Sequence, residues 1–405
     1  MRILLVSNLY PPYWLGGYEQ IAEWAAEGLR RRGHAVEVLT GRGAAFAGRP
    51  DMHPDLDLDL EALCAMSSGA GIAFAPTLGE GLRRHVFNGK NYQMCLRRIE
   101  SFRPDLASFW NTGFLTLSPL LAARRSRVRA VVHLSDVALN PFHNPHAPAF
   151  PESLRGIARA TVTSLLRLSR PLRFTVPSLF LKEKLVRGEG LPASRMDVLP
   201  WPVEPTISAT EPMTRNGAPS TRLLFVGSLI PEKGPDVLID AFRRALAERS
   251  DLRLTIVGGG PRGYVDSLRE AASGLPVRFA GRLERPAVIE AYRSHDMLVF
   301  PSVWGEPFSL VPLEAMAMGL TVIVIRTGGT PEAVVPERTG LLVLSGDAAA
   351  LAGAILRVVG DSPFARALAR EGEAWARRTQ GFDRFLDRLE ALYENCRDGG
   401  SRAGR

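Results

Sequence analysis

The sequence predicts an α/β chain of two doubly wound domains, each built on a parallel sheet, and three observations carry that expectation. Its 405 residues exceed what one average hydrophobic core organises and suit two domains of roughly 150 to 200 residues. Short apolar runs end in glycine turns and lead into amphipathic segments, first near residue 2 and again after residue 220. Strand, glycine turn, helix and strand form the βαβ unit of such a sheet. Between the two series lies "PTISATEPMTRNGAPS", residues 205–220, rich in Pro, Ser, Thr and Gly and poor in apolar side chains, which reads as the linker.

"RILLVSN" (2–8) reads as a buried parallel strand rather than the apolar part of a signal peptide, since a glycine turn follows it. "YEQIAEWAAEGLRRRGH" places Ile21, Trp24, Ala25 and Leu29 near helical spacing, with a basic last turn and Gly33 as the stop. "AVEVLT" is the next strand. "HPDLDLDLEALC" alternates acid and leucine as a short strand can. "GLRRHVFNGKNYQMCLRRIESF" reads as a helix with a basic face, "PDLASFWN" and "VRAVVHLSD" as strands, and "RFTVPSLFLKEKLVRGEGLPASRMDVLPWPVE" as strand, helix and strand. After the linker, "RLLFVGSLIPEKGPDVLIDAFRRALA" restarts the pattern, and "LRLTIVGGGP", "PVRFAGRL", "DMLVFPS" and "TVIVIRTGG" supply further strands. Leu252 to Val257 and Met297 to Phe300 are apolar almost throughout, as strands covered on both faces are. "DSPFARALAREGEAWARRTQGFDRFLDRLEALYENC" reads as two helices.

The expected organisation is therefore two Rossmann-like domains, 1–204 and 221–378, facing across a cleft. The segment 379–396 is a C-terminal helix that can pack back on the first domain, and 397–405 is a disordered tail. In such sheets ligands sit beyond the carboxyl ends of the strands.

A formal net charge of +8 favours anionic partners. Finger spacing, basic residues interleaved with aromatics and dense lysine blocks are lacking, which argues against nucleic acid. A phosphorylated small molecule or an anionic membrane face fits the charge equally. No apolar run of about 18 residues suggests a membrane span. Cys64, Cys95 and Cys396 are odd in number and far apart, which fits reduced thiols and a cytoplasmic location rather than disulfides or a cysteine metal site.

Gly16 and Gly17 stand between the first strand and its helix, where bare backbone and a helix start can meet a phosphate or an acceptor, although an ordinary tight turn needs no more. The dinucleotide fingerprint is not found there. Lys233 occupies the matching turn of the second domain, where it can hold a diphosphate as a point charge or be merely solvated. Gly258 belongs to "VGGGP", a second glycine loop. His133 ends a strand of the first domain and reads either as a site residue or as a core histidine. His143 and His146 lack a nearby third ligand, which argues against a metal.

"PSVWGEPFSLVPLEAMAMG" (301–319) holds Glu306 in a turn and Glu314 in the start of a helix. Carboxylates accept from sugar hydroxyls, while helix N–H groups and Lys233 suit phosphates. Together these describe a nucleotide-sugar site. A glycosidase pair of acid and nucleophile or base is the rival chemistry, and it leaves Lys233 and both glycine loops without a task.

These pieces resemble the retaining GT-B glycosyltransferases of family 4 (glycosyl transferases group 1). The resemblance rests on "PPYWLGGYEQIAEWAAEGLRRRGHAVEVLT", "FVGSLIPEKGPDVLIDAF", "LTIVGGGP" and "VFPSVWGEPFSLVPLEAMAMGLTVIVIRTGGTPEAV", and it spans about residues 1–395. It implies that Glu306 contacts donor-sugar hydroxyls and Glu314 the ribose hydroxyls. The backbone of Phe308, Ser309 and Leu310 would meet the distal phosphate and sugar, and Lys233 the departing diphosphate. Gly17 and Gly16 would complete the phosphate site, His133 would adjoin the transferring sugar, and backbone around Arg282 and Leu283 would hold the base. It further implies same-face attack without a protein nucleophile, a cofactor or a metal, with the nucleotide-diphosphate sugar as co-substrate.

Two departures stand out. Ser228 occupies a position where the family commonly carries arginine, with Arg282 as a candidate replacement, and "PWPVE" (200–204) replaces "PNGVD". Acceptor choice is expected in residues 41–90 and 136–160 of the first domain, with a soluble compound, a glycan or a lipid-linked saccharide as acceptor. "GLRRHVFNGKNYQMCLRRIESFR" and "SLRGIARATVTSLLRLSRPLR" are basic and partly apolar, so they read either as ordinary domain helices or as peripheral contacts with an anionic membrane on the inner face of the plasma membrane. A phosphorylase or hydrolase relative and a non-catalytic nucleotide-binding or assembly protein are the other functional readings. Donor base, sugar and acceptor are not written in the motifs.

Overall fold

In the computed structural model, which describes residues 1–11, 17–41, 52–56, 87–110, 115–135, 164, 172–208 and 221–399, the chain divides into two units. Met1–Pro200 and Phe385–Arg405 form the first, and Trp201–Arg384 the second.

The first unit is organised by a parallel sheet of order β3-β2-β1-β4-β5-β6-β7. Its strands are β1 (Arg2–Ser7), β2 (Ala35–Gly41), β3 (Met52–Leu56), β4 (Leu106–Trp110), β5 (Arg129–His133), β6 (Leu172–Val176) and β7 (Met196–Val198). β1 and β4 carry almost uninterrupted apolar residues and are buried along nearly their whole length, as a sheet covered on both faces requires. Helix α1 (Gly17–Arg31) buries Ile21, Ala22, Ala25, Ala26 and Leu29, and Gly33 at φ 86° lets the chain leave it. Helix α2 (Gly89–Phe102) starts at Asn88, whose side chain accepts from the N–H groups of Lys90 and Asn91, and it packs with α3 (Ser118–Arg125). Helix α4 (Leu179–Glu189) is capped by Ser178 and ended by Gly190. Of the two basic, partly apolar segments, 81–103 is described only from residue 87 and the second lies almost wholly outside the described residues, as do residues 57–64 of the predicted acid–leucine strand.

The second unit repeats the plan with order β10-β9-β8-β11-β12-β13, again all parallel. Its strands are β8 (Arg222–Val226), β9 (Arg253–Val257), β10 (Val277–Gly281), β11 (Met297–Phe300), β12 (Thr321–Ile325) and β13 (Leu341–Val343). Two apolar clusters cover its two faces, one around Phe225 and Phe242 and the other around Phe308, Met316 and Tyr292. The strand order reverses between β8 and β11, so the turns after those strands adjoin the switch point where ligands bind in such sheets.

The boundary between the units lies at Pro200 rather than at 204. Trp201 packs edge-on to Phe308 at 6.0 Å and the Val203 N–H donates to the Gln380 carbonyl at 2.7 Å, so this segment belongs to the second unit. The predicted linker opens with a helical turn, α5 (Pro205–Ser208), because Ile207 is buried in the second unit's core. Residues 209–220 lie outside the described residues. The remaining helices are α6 (Pro235–Glu248), α7 (Arg262–Ala271), α8 (Arg285–Ser294), α9 (Leu310–Ala317), α10 (Thr330–Ala333), α11 (Ala348–Gly360), α12 (Ser362–Gln380) and α13 (Phe382–Arg397). From Phe385 onward α13 belongs to the first unit, where Glu390 pairs with Arg32 and His34. No single helix among the described residues is long and apolar enough to cross a membrane. Cys95 and Cys396 are buried free thiols, and burial pushes Cys95 up to about 12.

Gly258 shows why one glycine of "VGGGP" cannot change. Its φ is +147°, and a Cβ there would sit 1.8 Å from the Gly227 carbonyl oxygen, inside the adjoining turn. Gly258→Ala is expected to destabilise the second unit by about 2 kcal/mol or more, through backbone strain and displacement of that turn. Urea denaturation checks this; an unchanged midpoint would show that the two turns are not packed this way.

Candidate active site

The turns after β8 and β11 bring Lys233 and Glu306 together. Lys233 closes a single 3₁₀ turn, Pro231–Lys233, ahead of α6. Glu306 sits in the turn between β11 and α9. The Lys233 ammonium donates to Glu306 Oε1, which also accepts from Ser302 Oγ at 2.7 Å. The loop is braced from both sides, because the Val303 N–H and Ser302 Oγ both reach the Glu232 carbonyl. Behind Glu306, the Gly329 N–H donates to the Glu306 carbonyl at 2.7 Å. A Cβ on Gly328 would lie 2.2 Å from that carbonyl oxygen, so only glycine lets the two loops touch. Glu306 is 5% exposed, and no described residue bonds its Oε2. An acceptor oxygen with a cation at its neighbour is what a sugar hydroxyl beside a phosphate requires. Trp304, 39% exposed, holds its ring 5.5 Å from the Lys233 ammonium.

Glu314 has a different setting from the free hydroxyl clamp expected of it. It is 3% exposed, in the middle of α9, and both its oxygens are engaged. Arg285 holds them bidentately at 2.6 and 3.0 Å, and the Tyr292 hydroxyl donates to Oε2 at 2.9 Å. The same Arg285 reaches back to Glu204, which the Thr206 hydroxyl also supports. Burial raises the pKa of Glu314, opposed by Arg285. Burial also disfavours charge on Arg285, but Glu314 and Glu204 more than offset it, so the guanidinium pKa is raised. Three of the roughly four acceptor directions on this carboxylate are therefore taken by Arg285 and Tyr292.

His133 is enclosed rather than presented. Its Nε2 faces Tyr393 Oη at 2.9 Å and Ser108 Oγ at 3.2 Å, and its Nδ1 faces Thr175 Oγ1 at 2.7 Å. Its ring stacks on Trp110 at 3.9 Å, and burial lowers its pKa to about 3. Both ring nitrogens are thus taken up within the first unit, which is the core-histidine alternative. The Tyr18 hydroxyl donates to the His133 carbonyl, so the start of α1 is pinned to the end of β5.

Gly17 begins α1, whereas Gly16, His143 and His146 lie outside the described residues. Ser228 is exposed in the turn after β8, and Gly258 follows β9. The turn N–H groups run in series, with Gly227 donating to Val257 and Gly258 to Gly281. Arg282 and Leu283 follow β10 at the same edge of the sheet, and Arg282 is exposed with no described carboxylate paired to it. Phe308 is buried, Ser309 holds the N-cap position of α9 without a side-chain capping bond, and Leu310 is the first helical residue. No group of three or more metal-ligating side chains occurs among the described residues. Sequence reasoning missed Ser302, Arg285, Tyr292 and Glu204. Only the acid of "PWPVE" and the arginine opening "RPAVIEAY" signalled the last pairing, and neither announces its partner.

Two family models match the chain: "Glycosyltransferase Family 4" over residues 15–206 and "Glycosyl transferases group 1" over residues 220–361. The chain is 28% identical over 402 residues to a protein named glycogen synthase from Mycobacterium tuberculosis, covering 95% of this chain and 91% of that one. It is 38% identical over 181 residues to the D-inositol 3-phosphate glycosyltransferase of Streptomyces avermitilis, covering 42% and 38% respectively. Among solved structures it resembles Anabaena Alr3699/HepE in complex with UDP, with TM-score 0.71, 20% identity and coverage of 98% of this chain and 100% of that one.

Two outcomes follow from these environments. Arg285→Met is expected to cost about 3 kcal/mol at neutral pH, because it leaves buried carboxylates without their cation. Without Arg285, Glu314 binds its proton more tightly folded than unfolded, so the deficit shrinks as pH falls; denaturation at several pH values reads this slope. For His133 the sign is opposite. Its folded pKa is depressed, so stability is present at neutral pH and is lost as pH falls from 6.5 towards about 3. The loss approaches about 1.4 kcal/mol per pH unit, and His133→Asn is expected to remove that part of the slope in thermal melts.

Proposed function

Because the chain belongs to the family 4 glycosyltransferases, with a group 1 C-terminal domain and the two-unit fold of the GT-B class, we propose that it transfers a sugar from a nucleotide-diphosphate donor to an acceptor hydroxyl with retention at the anomeric carbon and without a metal. The observation that carries this reading is the pairing of half-buried Lys233 with buried Glu306 at the switch point of the second unit, with no described residue bonded to Glu306 Oε2. UDP in the Anabaena neighbour supports a nucleotide donor.

In this reading Glu306 Oε2 accepts from a donor-sugar hydroxyl and so orients the anomeric carbon. Lys233 shares its ammonium between Glu306 and the diphosphate. As the bond from the anomeric carbon to the phosphate oxygen breaks, the ammonium meets the charge that develops there. The acceptor oxygen bonds to the anomeric carbon on the face the diphosphate leaves, and its proton passes to the leaving phosphate oxygen. A protein nucleophile is not required. Catalysis then consists of positioning and charge stabilisation in a site whose groups are held before the donor arrives. Arg282 lies at the same sheet edge as Ser228 and is the cation best placed to stand in for the arginine missing there.

Calorimetry with UDP, GDP, ADP, CDP and dTDP, with chelator and then with magnesium, is expected to show one preferred, metal-independent nucleotide. With the corresponding donor, Lys233→Met and Glu306→Gln are each expected to lower transfer about 100-fold or more while the circular dichroism spectrum is unchanged, and NMR of the product should show retention. Near-normal rates in both variants would remove this pair from the chemistry.

A further inference from the structure

The loop that carries Glu306 also sets an aromatic ring against the same lysine. Trp304 stands two residues before Glu306, and the Glu306 N–H donates to the Trp304 carbonyl at 2.8 Å, so one tight turn places both side chains. The Lys233 ammonium lies over the Trp304 ring, 5.5 Å from its centroid, and over the ring of Phe300 at 5.9 Å. Phe300 ends β11 and is buried, whereas Trp304 is exposed. A lone exposed apolar side chain is ordinary on a protein surface. This one differs because its ring covers the amine of a site residue.

The backbone of Lys233 is held without Trp304. Gly234, at φ +64°, lets the lysine turn lie against the Pro301 carbonyl, where a Cβ would come within 2.3 Å. The Val303 N–H donates to the Glu232 carbonyl at 3.0 Å. These contacts do not fix the flexible four-carbon stem, and the position of the ammonium depends on what surrounds it.

Glu306 Oε1 takes one of the three N–H groups of the ammonium. A second carboxylate would hold the others, but it would also cancel the charge that a phosphate needs. An aromatic face attracts a cation through its quadrupole and carries no net charge. It orients the ammonium and leaves it positive. The turn from Gly227 to Gly234 contains no other cation, so the placement of this one ammonium matters the more. Resting on the nucleotide-donor reading, we propose that Trp304 is a positioning residue for Lys233, whose ring keeps the ammonium beside Glu306 Oε1 and turned to the donor diphosphate. Trp304 acts through the lysine, not by stacking on the nucleoside or the sugar.

A double-mutant cycle in the full-length chain tests this, read by calorimetry with whichever of UDP, GDP, ADP, CDP and dTDP binds best. Trp304→Leu keeps apolar bulk and removes the ring. It is expected to weaken the diphosphate about 5-fold or more, the size of a cation–π contact. Trp304→Phe keeps a ring over the amine and should retain most of the affinity. In a Lys233→Met background, Trp304→Leu is expected to cost less than about 2-fold further, because the amine that the ring holds is gone. The proposal is overturned if Trp304→Leu binds normally or if Trp304→Phe binds as weakly as Trp304→Leu. It is also overturned if Trp304→Leu costs the same factor with and without Lys233, as stacking on the ligand or a disturbed loop would. If Lys233→Met binds the diphosphate as the unaltered chain does, or the unaltered chain binds none of the five, the nucleotide-donor reading of this lysine fails, and this inference with it.

Discussion

A carboxylate as buried as Glu306 needs a cation or a proton, and Lys233 is the cation. That requirement organises the second unit around it. The lysine must arrive on a tight turn from β8, the glutamate on a loop from β11, and the two strands must be neighbours in the sheet. Ser302 and the Glu232 carbonyl lock the loop, and Gly328 allows a third segment to press against its backbone. The bonds from Lys233 and Ser302 both go to Glu306 Oε1, so the groups that satisfy the buried charge leave Oε2 without a bond from a described residue.

The second acid of the motif follows the opposite logic. Glu314 is saturated on three sides by Arg285 and Tyr292, and Arg285 extends to Glu204. The segment "PWPVE" thus has a physical account. Trp201 packs on Phe308 and Glu204 neutralises the far side of Arg285, so the first residues of the second unit lie under the same loop and helix that carry the site. Two carboxylates around one guanidinium favour further donors nearby, and the Tyr292 and Thr206 hydroxyls supply them.

In the first unit, the histidine at the end of β5 serves its own core. Tyr393 from α13, Ser108 from β4 and Thr175 from β6 converge on its two nitrogens, and Trp110 covers its face. Tyr393, 260 residues downstream, therefore helps to enclose this ring. The connection ties the C-terminal helix into the first unit by hydrogen bonds as well as by apolar contact.

The sequence alone determined the strands and most of the helices. A buried parallel strand is a short apolar run, and glycine turns and amphipathic spacing are local properties of the chain. It also pointed to Glu306 and Lys233 together, because both stand in turns after strands of a repeated plan, and the two side chains do pair. Only the tertiary structure decided which charges meet. Arg285 selects Glu314 and Glu204 across 29 and 81 residues of chain. Three-dimensional packing likewise enclosed His133, whose neighbours come from three separate segments. Periodicity reports which face of an element is buried; it does not report the partner that a buried polar group will find, and that partner sets its charge and its chemistry.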